Sequence, residues 1–331
     1  MELSTAQHVF STYFNGAEVF DCSVIKGGLI NKTYKLDTTE GSFILQQINQ
    51  QVFKHAELAL ENIKRVSTWL NEKEFNYAFP TPVHFTYTFS LDKLWRLLPF
   101  INAKSYNEIK NKRMVKNATV CVADFYRILD PFPVHELHVT IPHFHHGQHY
   151  VKEFQEALNY CNSERKKQAA QEINQIKSNS DELARFDEVV SQLPKRVVHY
   201  DTKINNFLFD EDFNVKALID LDTLMPGSVL SDVGDMIRTY SNKLGEESTD
   251  FNRIQADPET IKTIVEYISQ HSLLTDLEKN HLFFAGKAIT LMQSIRFLTD
   301  YLKGDVYYTV THPVHNLNRA KNQLILYNSM I

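Results

Sequence analysis

The first hundred residues mix helix-like and strand-like patterns of apolar side chains. Residues 3–14 repeat their apolar positions at helical spacing, which predicts a helix on the outside of an N-terminal lobe. Residues 55–71 form an amphipathic pattern, which predicts a second helix lying over the sheet of that lobe. Short apolar runs bounded by glycine, proline and polar residues predict the strands of the sheet. These runs cover residues 24–25, 30–36, 42–45, 83–87 and 94–98.

Beyond residue 98 the helical period dominates. The predicted helices cover residues 111–129, 151–160, 168–183, 183–192, 234–242, 258–271 and 276–302. Short strand-like runs interrupt them at residues 197–198, 207–209 and 217–219. The whole pattern predicts an α+β protein with two lobes. We expect a small, β-rich N-terminal lobe over residues 1–98 and a larger, mainly helical lobe over residues 99–331.

Composition narrows the class of protein. The 331 residues are 43% hydrophobic and 23% charged, which is typical of a globular protein with a large core. The 40 acidic and 35 basic residues give a formal net charge of -5, so no overall positive field favours nucleic acid or an anionic membrane. Three widely separated cysteines favour a reducing compartment over a disulfide framework. Since there is neither a basic leader nor an apolar run of about 18 residues, we expect a cytoplasmic protein, and its oligomeric state stays open.

A polar loop between two strand-like runs of the second lobe carries the chemistry. It holds His199, Asp201, Lys203 and Asn206 in the spacing H-x-D-x-K-x-x-N, which matches the catalytic loop of kinases. In that pattern the aspartate accepts or orients the proton of the nucleophilic hydroxyl, and the asparagine binds magnesium. We therefore predict that Asp201 is the base or orienter and that Lys203 stabilises the transferring phosphate. We expect His199 to be a structural residue of the loop.

A second carboxylate completes the predicted metal site. Asp220 ends the last of the strand-like runs. Magnesium prefers oxygen ligands and keeps part of its water shell, so Asn206, Asp220 and the phosphates of ATP together supply suitable ligands. Six histidines crowd residues 135–149, where we expect satisfied loop histidines rather than a second metal site.

Longer segments carry a family resemblance. They resemble the phosphotransferase family of aminoglycoside and choline kinases, and within it the branch of bacterial N-acetylhexosamine 1-kinases. These segments are residues 44–49, 199–206 (HYDTKINN), 219–228 (IDLDTLMPGS), 232–238 (DVGDMIR) and 296–307. The resemblance implies a protein-kinase-like fold with ATP in the cleft between the lobes, and it implies that Asp232 supports the catalytic loop. Without the resemblance, Asp232 is equally suited to cap the N-terminus of a helix.

The nucleotide is expected to bind against the N-terminal lobe. Gly27 and Gly28 separate two predicted strands, where glycine lets the backbone approach phosphates, although a plain hairpin turn gives the same pattern. The resemblance implies that the strand beginning at Asn31 continues this lid. Leu98 and Phe100 lie where an apolar strand runs into the connector between the lobes, so they are the candidate neighbours of adenine.

One departure from the kinase pattern concerns phosphate anchoring. Typical kinases carry a lysine on the strand after the lid, which binds the α- and β-phosphates and pairs with a helix glutamate. The corresponding strand, residues 43–47, offers only amides among its polar side chains. Gln46 is the candidate phosphate neighbour, with a surface amide as the alternative. Lys203, magnesium and the lid amides are then left to hold the phosphates.

The acceptor site is predicted from the C-terminal segment. Arg296 and Asp300 lie on one face of a predicted helix, and Tyr307 follows the end of that helix at Gly304. From spacing alone, a surface ion pair explains Arg296 and Asp300. The resemblance implies instead that Arg296 and Tyr307 face an acetamido sugar, and Asp300 is a further candidate for contact with the sugar.

These residues together predict a kinase that uses ATP and magnesium. The expected reaction transfers the γ-phosphate to the anomeric hydroxyl of a small-molecule amino sugar, N-acetylglucosamine or N-acetylgalactosamine. Two alternatives stay open. The same scaffold serves kinases of aminoglycosides, choline or homoserine, and the missing lysine is compatible with a catalytically silent protein that binds nucleotide or a partner. The preferred epimer depends on placements of about an ångström that no motif encodes.

Overall fold

The computed structural model describes residues 1–25, 31–50, 55–270 and 273–331. The predicted phosphate-binding residues Gly27 and Gly28 lie outside the described residues. Among the helices that are described, none is both long and apolar enough to cross a membrane.

An antiparallel sheet of five strands forms the N-terminal part of the structure, in the order β1-β2-β3-β5-β4. Its strands are β1 (Val19–Ile25), β2 (Lys32–Thr38), β3 (Gly41–Gln47), β4 (Thr88–Ser90) and β5 (Lys93–Pro99). Helix α1 (Leu3–Phe10) packs on this sheet, and its buried Val9 and Phe10 share an apolar cluster with Leu45 and Trp95. The sheet and the helix on its outside therefore confirm what the apolar pattern predicts.

The strand predicted at residues 83–87 is wrong. Val83–Phe85 form a short 3₁₀ turn in which His84 has a φ of 58°, and β4 begins only at Thr88. Two prolines directly before this turn supply no backbone donors, so the chain cannot enter a strand ladder there. The apolar side chains of this segment resemble a strand in spacing but lack the backbone partners of one.

Helix α2 (Ala56–Glu72) forms as predicted but packs elsewhere. Its buried Ile63, Val66 and Leu70 belong to the apolar core of the helical part, together with residues such as Met114. The sheet has its own separate core, which α2 does not enter. An amphipathic pattern shows that one face of a helix is buried, but it does not show against which partner.

Helices make up most of the remaining structure. They are α3 (Lys112–Leu129), α4 (Gly147–Tyr160), α5 (Ser163–Gln168), α6 (Ala170–Asn179), α7 (Asp181–Ser191), α8 (Val229–Ser241), α9 (Pro258–Ser269), α10 (Asp276–Asn280), α11 (Leu282–Lys303) and α12 (His315–Ser329). The prediction of one helix over 168–183 is wrong, since α5, α6 and α7 divide that stretch. The predicted helix at 276–302 is two helices, which meet at His281.

The last helix, α12, has no counterpart in the sequence prediction. Several of its polar side chains are fully buried, among them Asn316, Arg319 and Asn322. Because these residues occupy the face that an apolar stripe normally marks, the helical period of the apolar residues is weak. The helix packs along α11 and closes the helical part of the molecule.

Two small ribbons hold the polar loops between the lobes. Strand β6 (Arg196–Val198) pairs antiparallel with β9 (Met225–Gly227), and β7 (Phe207–Phe209) pairs antiparallel with β8 (Val215–Leu218). The apolar runs predict β6, β7 and, with bounds shifted by one or two residues, β8, whereas β9 has no counterpart in the sequence prediction. The loop from β6 to β7 carries the catalytic motif, and the turn after β8 carries Asp220.

One buried amide on α2 joins this helix to the helical part. The Nδ2 of Asn62 donates to the backbone carbonyls of His138 (2.8 Å) and Leu224 (2.9 Å). Its Oδ1 accepts a hydrogen bond of 2.8 Å from the backbone N–H of His138. The side chain is fully buried, so its amide satisfies three backbone groups that water cannot easily reach.

We expect Asn62→Ala to lower the free energy of unfolding by about 3 kcal/mol, because three backbone groups lose their partner in a buried site. Urea unfolding measures the change. Asn71→Ala is the matched control, since Asn71 is an exposed asparagine on the same helix, and we expect a change of at most about 0.5 kcal/mol there. Equal effects of the two substitutions would show that the Asn62 hydrogen bonds are not what fixes α2.

Candidate active site

The catalytic loop places its charged side chains in contact with one another. The Nζ of Lys203 lies 2.7 Å from Oδ2 of Asp201, and each of the two side chains is 25% exposed. The Nδ2 of Asn206 donates a 2.8 Å hydrogen bond to the backbone carbonyl of Asp201. Asn206 thereby holds the backbone of the residue predicted to act as base, while its side-chain oxygen is left to meet a cation.

Asp232 supports this loop from below. Its carboxylate accepts hydrogen bonds from the backbone N–H groups of His199 (2.9 Å) and Tyr200 (2.6 Å) and from the hydroxyl of Tyr126. The N-cap of α8 is instead Ser228, whose side chain accepts from the N–H of Leu230. The structure therefore confirms the supporting role that the resemblance implies and excludes the capping alternative.

His199 is a structural residue, as predicted. Its ring is almost fully buried, and Nε2 lies 2.9 Å from the carbonyl of Ile219. Burial lowers the pKa of His199, so the neutral ring can donate this bond. Since Ile219 directly precedes Asp220, the bond ties the catalytic loop to the turn that carries the second carboxylate.

Asp220 sits at a strained turn after β8. Its φ is 65°, a left-handed conformation that costs free energy for a residue with a Cβ and is concentrated at functional sites. Burial, with the neighbouring charge of Asp222, raises the pKa of Asp220 to about 6. A bound cation would lower the pKa of Asp220 again, and its binding free energy would offset the cost of the strained backbone. Two oxygen ligands, from Asn206 and Asp220, with room for phosphate oxygens beside them, fit the preferences of magnesium.

The ionic states of the catalytic pair follow from their contact. Burial raises the pKa of Asp201, but the charge and hydrogen bond of Lys203 outweigh it, so the pKa of Asp201 lies below its ordinary value. Burial lowers the pKa of Lys203, but Asp201 and Asp220 more than reverse this, so its pKa is raised. At neutral pH the site therefore holds a carboxylate and an ammonium side by side.

Three of the described cavities border this loop, and two of them also reach Asp220. The first of these two is lined by Asn31, Asp201, Arg296 and Tyr307, and we name it the acceptor cavity. The second is lined by Leu98, Phe100, Ile101 and Asn206, and we name it the nucleotide cavity. They share four lining residues, namely Thr33, Gln46, Lys203 and Asp220. Lys203 and the predicted metal ligand Asp220 thus lie at the junction where molecules bound in the two cavities would touch.

The nucleotide cavity resembles a slot for a flat ring. Its apolar walls come from both parts of the molecule. Leu98 and Phe100 lie at the end of β5, Leu208 lies on β7, and Leu221 lies in the turn after β8. Its volume is about 350 Å³. Gln46 reaches this cavity, but its amide is already used: Nε2 donates to Thr33, and Oε1 accepts from Arg96.

Arg296 faces the acceptor cavity without a carboxylate partner among the described residues. Its guanidinium lies 5.1 Å from the ring centre of Phe144, 5.4 Å from that of Tyr150 and 5.9 Å from that of Tyr308. One Nη donates to the side-chain oxygen of Gln293 at 2.9 Å. The surface ion pair with Asp300 does not form within the described chain, so a stacked guanidinium with free donors borders the cavity.

Asp300 has a different place from the one predicted. Its carboxylate accepts hydrogen bonds from the backbone N–H groups of Val306 (2.9 Å), Tyr307 (2.8 Å) and Tyr308 (3.0 Å). It also accepts from Nδ2 of Asn316, and it does not line the described cavities. Asp300 therefore shapes the loop that brings Tyr307 and Tyr308 to the acceptor cavity, and direct contact with an acceptor stays a prediction.

The sequence prediction overlooks an ion pair that crosses the cleft. Arg96, on β5, forms a bidentate pair with Asp222, and the Nη2 to Oδ2 distance is 2.9 Å. Asn31 donates to the same carboxylate at 3.0 Å. Both members of the pair are almost fully buried. The signal was an arginine in the middle of the apolar run 94–98, where a charge needs a partner.

The histidines of residues 135–149 have different environments in the structure. Among the residues that the structure describes, no group of three or more histidine, cysteine or acidic side chains is arranged to hold a metal ion. His138 contacts Glu61 and His146 contacts Asp187, as expected of satisfied loop histidines. His145 differs, because it is buried and lines the acceptor cavity.

Comparison with known proteins adds independent findings. The family model described as phosphotransferase enzyme family matches residues 21–259. The crystal structure of a spectinomycin phosphotransferase in complex with ADP and spectinomycin is 14% identical, with a TM-score of 0.64, and the match covers 96% of this chain and 92% of that one. An aminoglycoside phosphotransferase from Alicyclobacillus acidocaldarius is 13% identical, with a TM-score of 0.65 and coverages of 98% and 94%. The GDP complex of aminoglycoside 2'-phosphotransferase-IIIa is 11% identical, with a TM-score of 0.60 and coverages of 98% and 99%.

These similarities confirm the predicted fold class. The chain has the two-lobed, kinase-like α+β fold of these phosphotransferases, and at such low identities the likeness concerns the fold alone. The family match rests on sequence and includes the catalytic loop, Asp220 and Asp232, whereas Arg296 and Tyr307 lie outside it. Because that match extends over more than two thirds of the chain, the chain belongs to the phosphotransferase enzyme family.

Proposed function

We propose that this phosphotransferase uses ATP and magnesium to phosphorylate the anomeric hydroxyl of an N-acetylhexosamine. The observation that carries the proposal is the place of Arg296. A guanidinium stacked on three aromatic rings, with no described carboxylate to neutralise it, borders the cavity that contains Asp201. An acetamido group supplies a carbonyl acceptor for such a donor and a methyl group for the aromatic walls.

The nucleotide cavity supports the use of ATP. Its apolar walls suit a purine ring. Pro99 has no N–H, and the N–H of Phe100 donates to the carbonyl of Ser42 at 3.2 Å, so the candidate groups for an adenine edge are the carbonyl of Phe100 and the N–H of Ile101. Two structures with the same fold are complexes with ADP and with GDP. We place the lobe boundary at residues 98 and 99, so that the nucleotide lies between the two lobes.

The residues of the catalytic loop divide the work of phosphoryl transfer. Asp201 accepts or orients the proton of the acceptor hydroxyl, and Lys203 places its positive charge beside both carboxylates and the incoming phosphate. Asn206 and Asp220 would hold magnesium, which neutralises charge on the phosphate oxygens. Little covalent chemistry is required of the protein, since alignment and charge stabilisation supply most of the catalysis.

We propose Arg96 as the cation that anchors the phosphates in place of the usual lysine. It lines the nucleotide cavity together with Lys203 and Asp220, and its Nε donates to Gln46 at 2.8 Å. The ion pair with Asp222 fixes the guanidinium in place. We assign to Arg96 the positive charge that other kinases draw from the lid-strand lysine, with Asp222 as its structural partner.

A second candidate is a kinase of a cationic aminoglycoside or aminocyclitol. The similar structures favour it, because they include a spectinomycin phosphotransferase and an aminoglycoside phosphotransferase. Such acceptors call for unpaired carboxylates in the pocket. Here the carboxylates Asp235 and Glu246 both form ion pairs with Arg238, and Arg296 adds a further positive charge. The cavity as a whole is lined by five carboxylates and three cations, so it is the position of the unpaired Arg296, and not the total charge, that favours an uncharged acceptor.

A coupled ADP-release screen across N-acetylhexosamines, hexoses, choline and aminoglycosides tests the proposed acceptor, with phosphorus NMR of the product. We expect phosphate on the anomeric oxygen of N-acetylglucosamine or N-acetylgalactosamine, and kcat/KM at least about tenfold lower for the matching hexose, which lacks the acetamido group. Arg296→Met should remove most of that preference. Arg185→Met is the control, since Arg185 is an exposed arginine stacked on Phe284.

Two results of this screen would contradict the proposal. Phosphate on the 6-hydroxyl would exclude the anomeric assignment. An aminoglycoside that is consumed faster than every N-acetylhexosamine would favour the second candidate. If ATP is not consumed with any acceptor, the chain is the catalytically silent nucleotide binder that the missing lysine also allows.

We expect Asp201→Asn to lower kcat by about 10²–10⁴-fold, because the amide can neither accept the proton nor keep its charge beside Lys203. The affinity for ADP, measured by titration calorimetry, should change little, and so should the thermal unfolding temperature. Asp212→Asn alters an exposed carboxylate and serves as the control. A variant that keeps nearly full activity would remove Asp201 from the mechanism.

For Arg96→Met we expect the affinity for ADP with magnesium to fall at least about tenfold, since a charge at the phosphates is lost and Asp222 is left buried without a partner. Arg319→Met is the matched control, because Arg319 is another almost fully buried arginine with a carboxylate partner, the half-exposed Glu247, and does not line the described cavities. If both folded variants bind ADP as tightly as the unchanged protein, Arg96 has only a structural role.

A further inference from the structure

Two residues that line the acceptor cavity each carry a buried polar atom with no hydrogen-bond partner among the described residues. These atoms are Oδ2 of Asp235 and Nδ1 of His145. Asp235 is 4% exposed and His145 is 9% exposed, and both line the cavity that contains Asp201. Buried polar atoms are nearly always paired in folded proteins. Two exceptions that line one cavity indicate groups that a ligand completes.

Asp235 offers one free acceptor in a fixed position. Its Oδ1 accepts both hydrogen bonds from Arg238, at 3.0 Å from Nε and 2.8 Å from Nη2. Arg238 is itself held by Glu246 and Gln323. The carboxylate therefore cannot turn without breaking this network, and Oδ2 is left for a donor inside the cavity.

His145 offers a neutral ring nitrogen on another wall. Its ring stacks on Phe144 with centroids 4.5 Å apart and meets Tyr200 edge-on at 5.3 Å. Burial, and next to it the charge of Arg296, lowers the pKa of His145 to about 3, so the ring is uncharged at neutral pH. The backbone φ of 55° at this residue is uncommon and aims the side chain from a strained turn.

We propose that Asp235 Oδ2 and His145 Nδ1 each bind one hydroxyl group of the acceptor and so determine which polyhydroxylated ring is phosphorylated. The inference rests on the proposed function, since it requires an acceptor that carries hydroxyl groups besides the reacting one. A hydroxyl donates to the carboxylate, and it either donates to or accepts from the neutral imidazole. Together with a contact from Arg296 to the acetamido group, these two contacts would hold the sugar ring at three points beside Asp201.

The test couples each residue to single hydroxyl groups of the acceptor. Asp235→Asn keeps an oxygen for Arg238 and places an N–H donor where the free acceptor was. His145→Asn keeps a polar atom near the position of Nδ1 and tolerates the positive φ, whereas His145→Phe keeps the stacking and removes the polar atom. Asp250→Asn is the matched control, because Asp250 also pairs with an arginine three residues on, but at the exposed surface.

Each variant is assayed for kcat and KM with the acceptor and with its 3-, 4- and 6-deoxy analogues. In the unchanged protein, we expect kcat/KM to be at least about tenfold lower for two of the deoxy analogues. One of them lacks the hydroxyl that Asp235 binds, and the other lacks the hydroxyl that His145 binds. For the matching analogue, Asp235→Asn or His145→Phe should cause no further loss, while the other analogues lose activity in parallel. His145→Asn should retain more of the selectivity than His145→Phe, and KM for ATP should stay unchanged throughout.

The failures of the two proposals can be told apart. If the unchanged protein phosphorylates a hydroxylated acceptor other than an N-acetylhexosamine, the sugar assignment fails, and the same set of deoxy analogues is applied to that acceptor. If folded variants lower kcat/KM by one common factor for all analogues, or leave it unchanged, the hydroxyl contacts are overturned. A protein that phosphorylates no hydroxylated acceptor overturns both.

Discussion

The geometry of this site depends on one buried carboxylate, that of Asp232. The catalytic loop has little regular structure, and Tyr200 within it has a φ of 65°, so the loop needs outside support. Asp232 supplies it by accepting from two successive backbone N–H groups of the loop. Asp232 belongs to α8, which packs closely on α11. The close contact is possible because Gly234 and Gly286 have no Cβ, and a Cβ at either position would clash with the facing helix. Since α11 carries Arg296, this one helix pair sets both the position of Asp201 and that of the acceptor wall.

The charges around the cleft are paired in a way that leaves two groups uncompensated. Three cations each contact a carboxylate: Lys203 contacts Asp201, Arg96 contacts Asp222, and Arg238 contacts Asp235. In the described part of the chain, Asp220 and Arg296 form no ion pair of this kind. Burial without a close opposite charge is costly, and proteins accept the cost where a ligand restores the balance. A metal on phosphates would compensate the charge of Asp220, and an acceptor carbonyl would accept hydrogen bonds from Arg296, although the charge of this guanidinium would stay uncompensated.

The sequence predicts the parts of this site that are encoded locally. The spacing of the catalytic loop, the turn at Asp220 and the strands of the sheet follow from short segments, and the structure brings the predicted loop residues together. What local patterns cannot show is pairing over distance. The ion pair of Arg96 joins residues 126 positions apart, and α2 packs in the helical core although its apolar stripe equally suits the sheet. Helix α12 escapes prediction because hydrogen-bonded polar side chains fill its buried face.

If Arg96 takes the place of the missing lysine, as proposed, the cation has moved from one strand of the sheet to its neighbour. In the antiparallel sheet Gln46 on β3 lies directly opposite Arg96 on β5. Opposite residues of neighbouring strands project to the same face, with Cβ atoms about 5 Å apart. Moving the cation from β3 to β5 therefore shifts its charge by only a few ångströms, a distance that a longer side chain can span. The longer arginine makes up that distance, and its planar fork lets Asp222 hold it where a lysine would need a helix glutamate. Phosphoryl transfer in such a site requires a fixed cation on that face of the sheet. A sequence pattern that expects the cation on one particular strand does not detect it on the neighbouring strand.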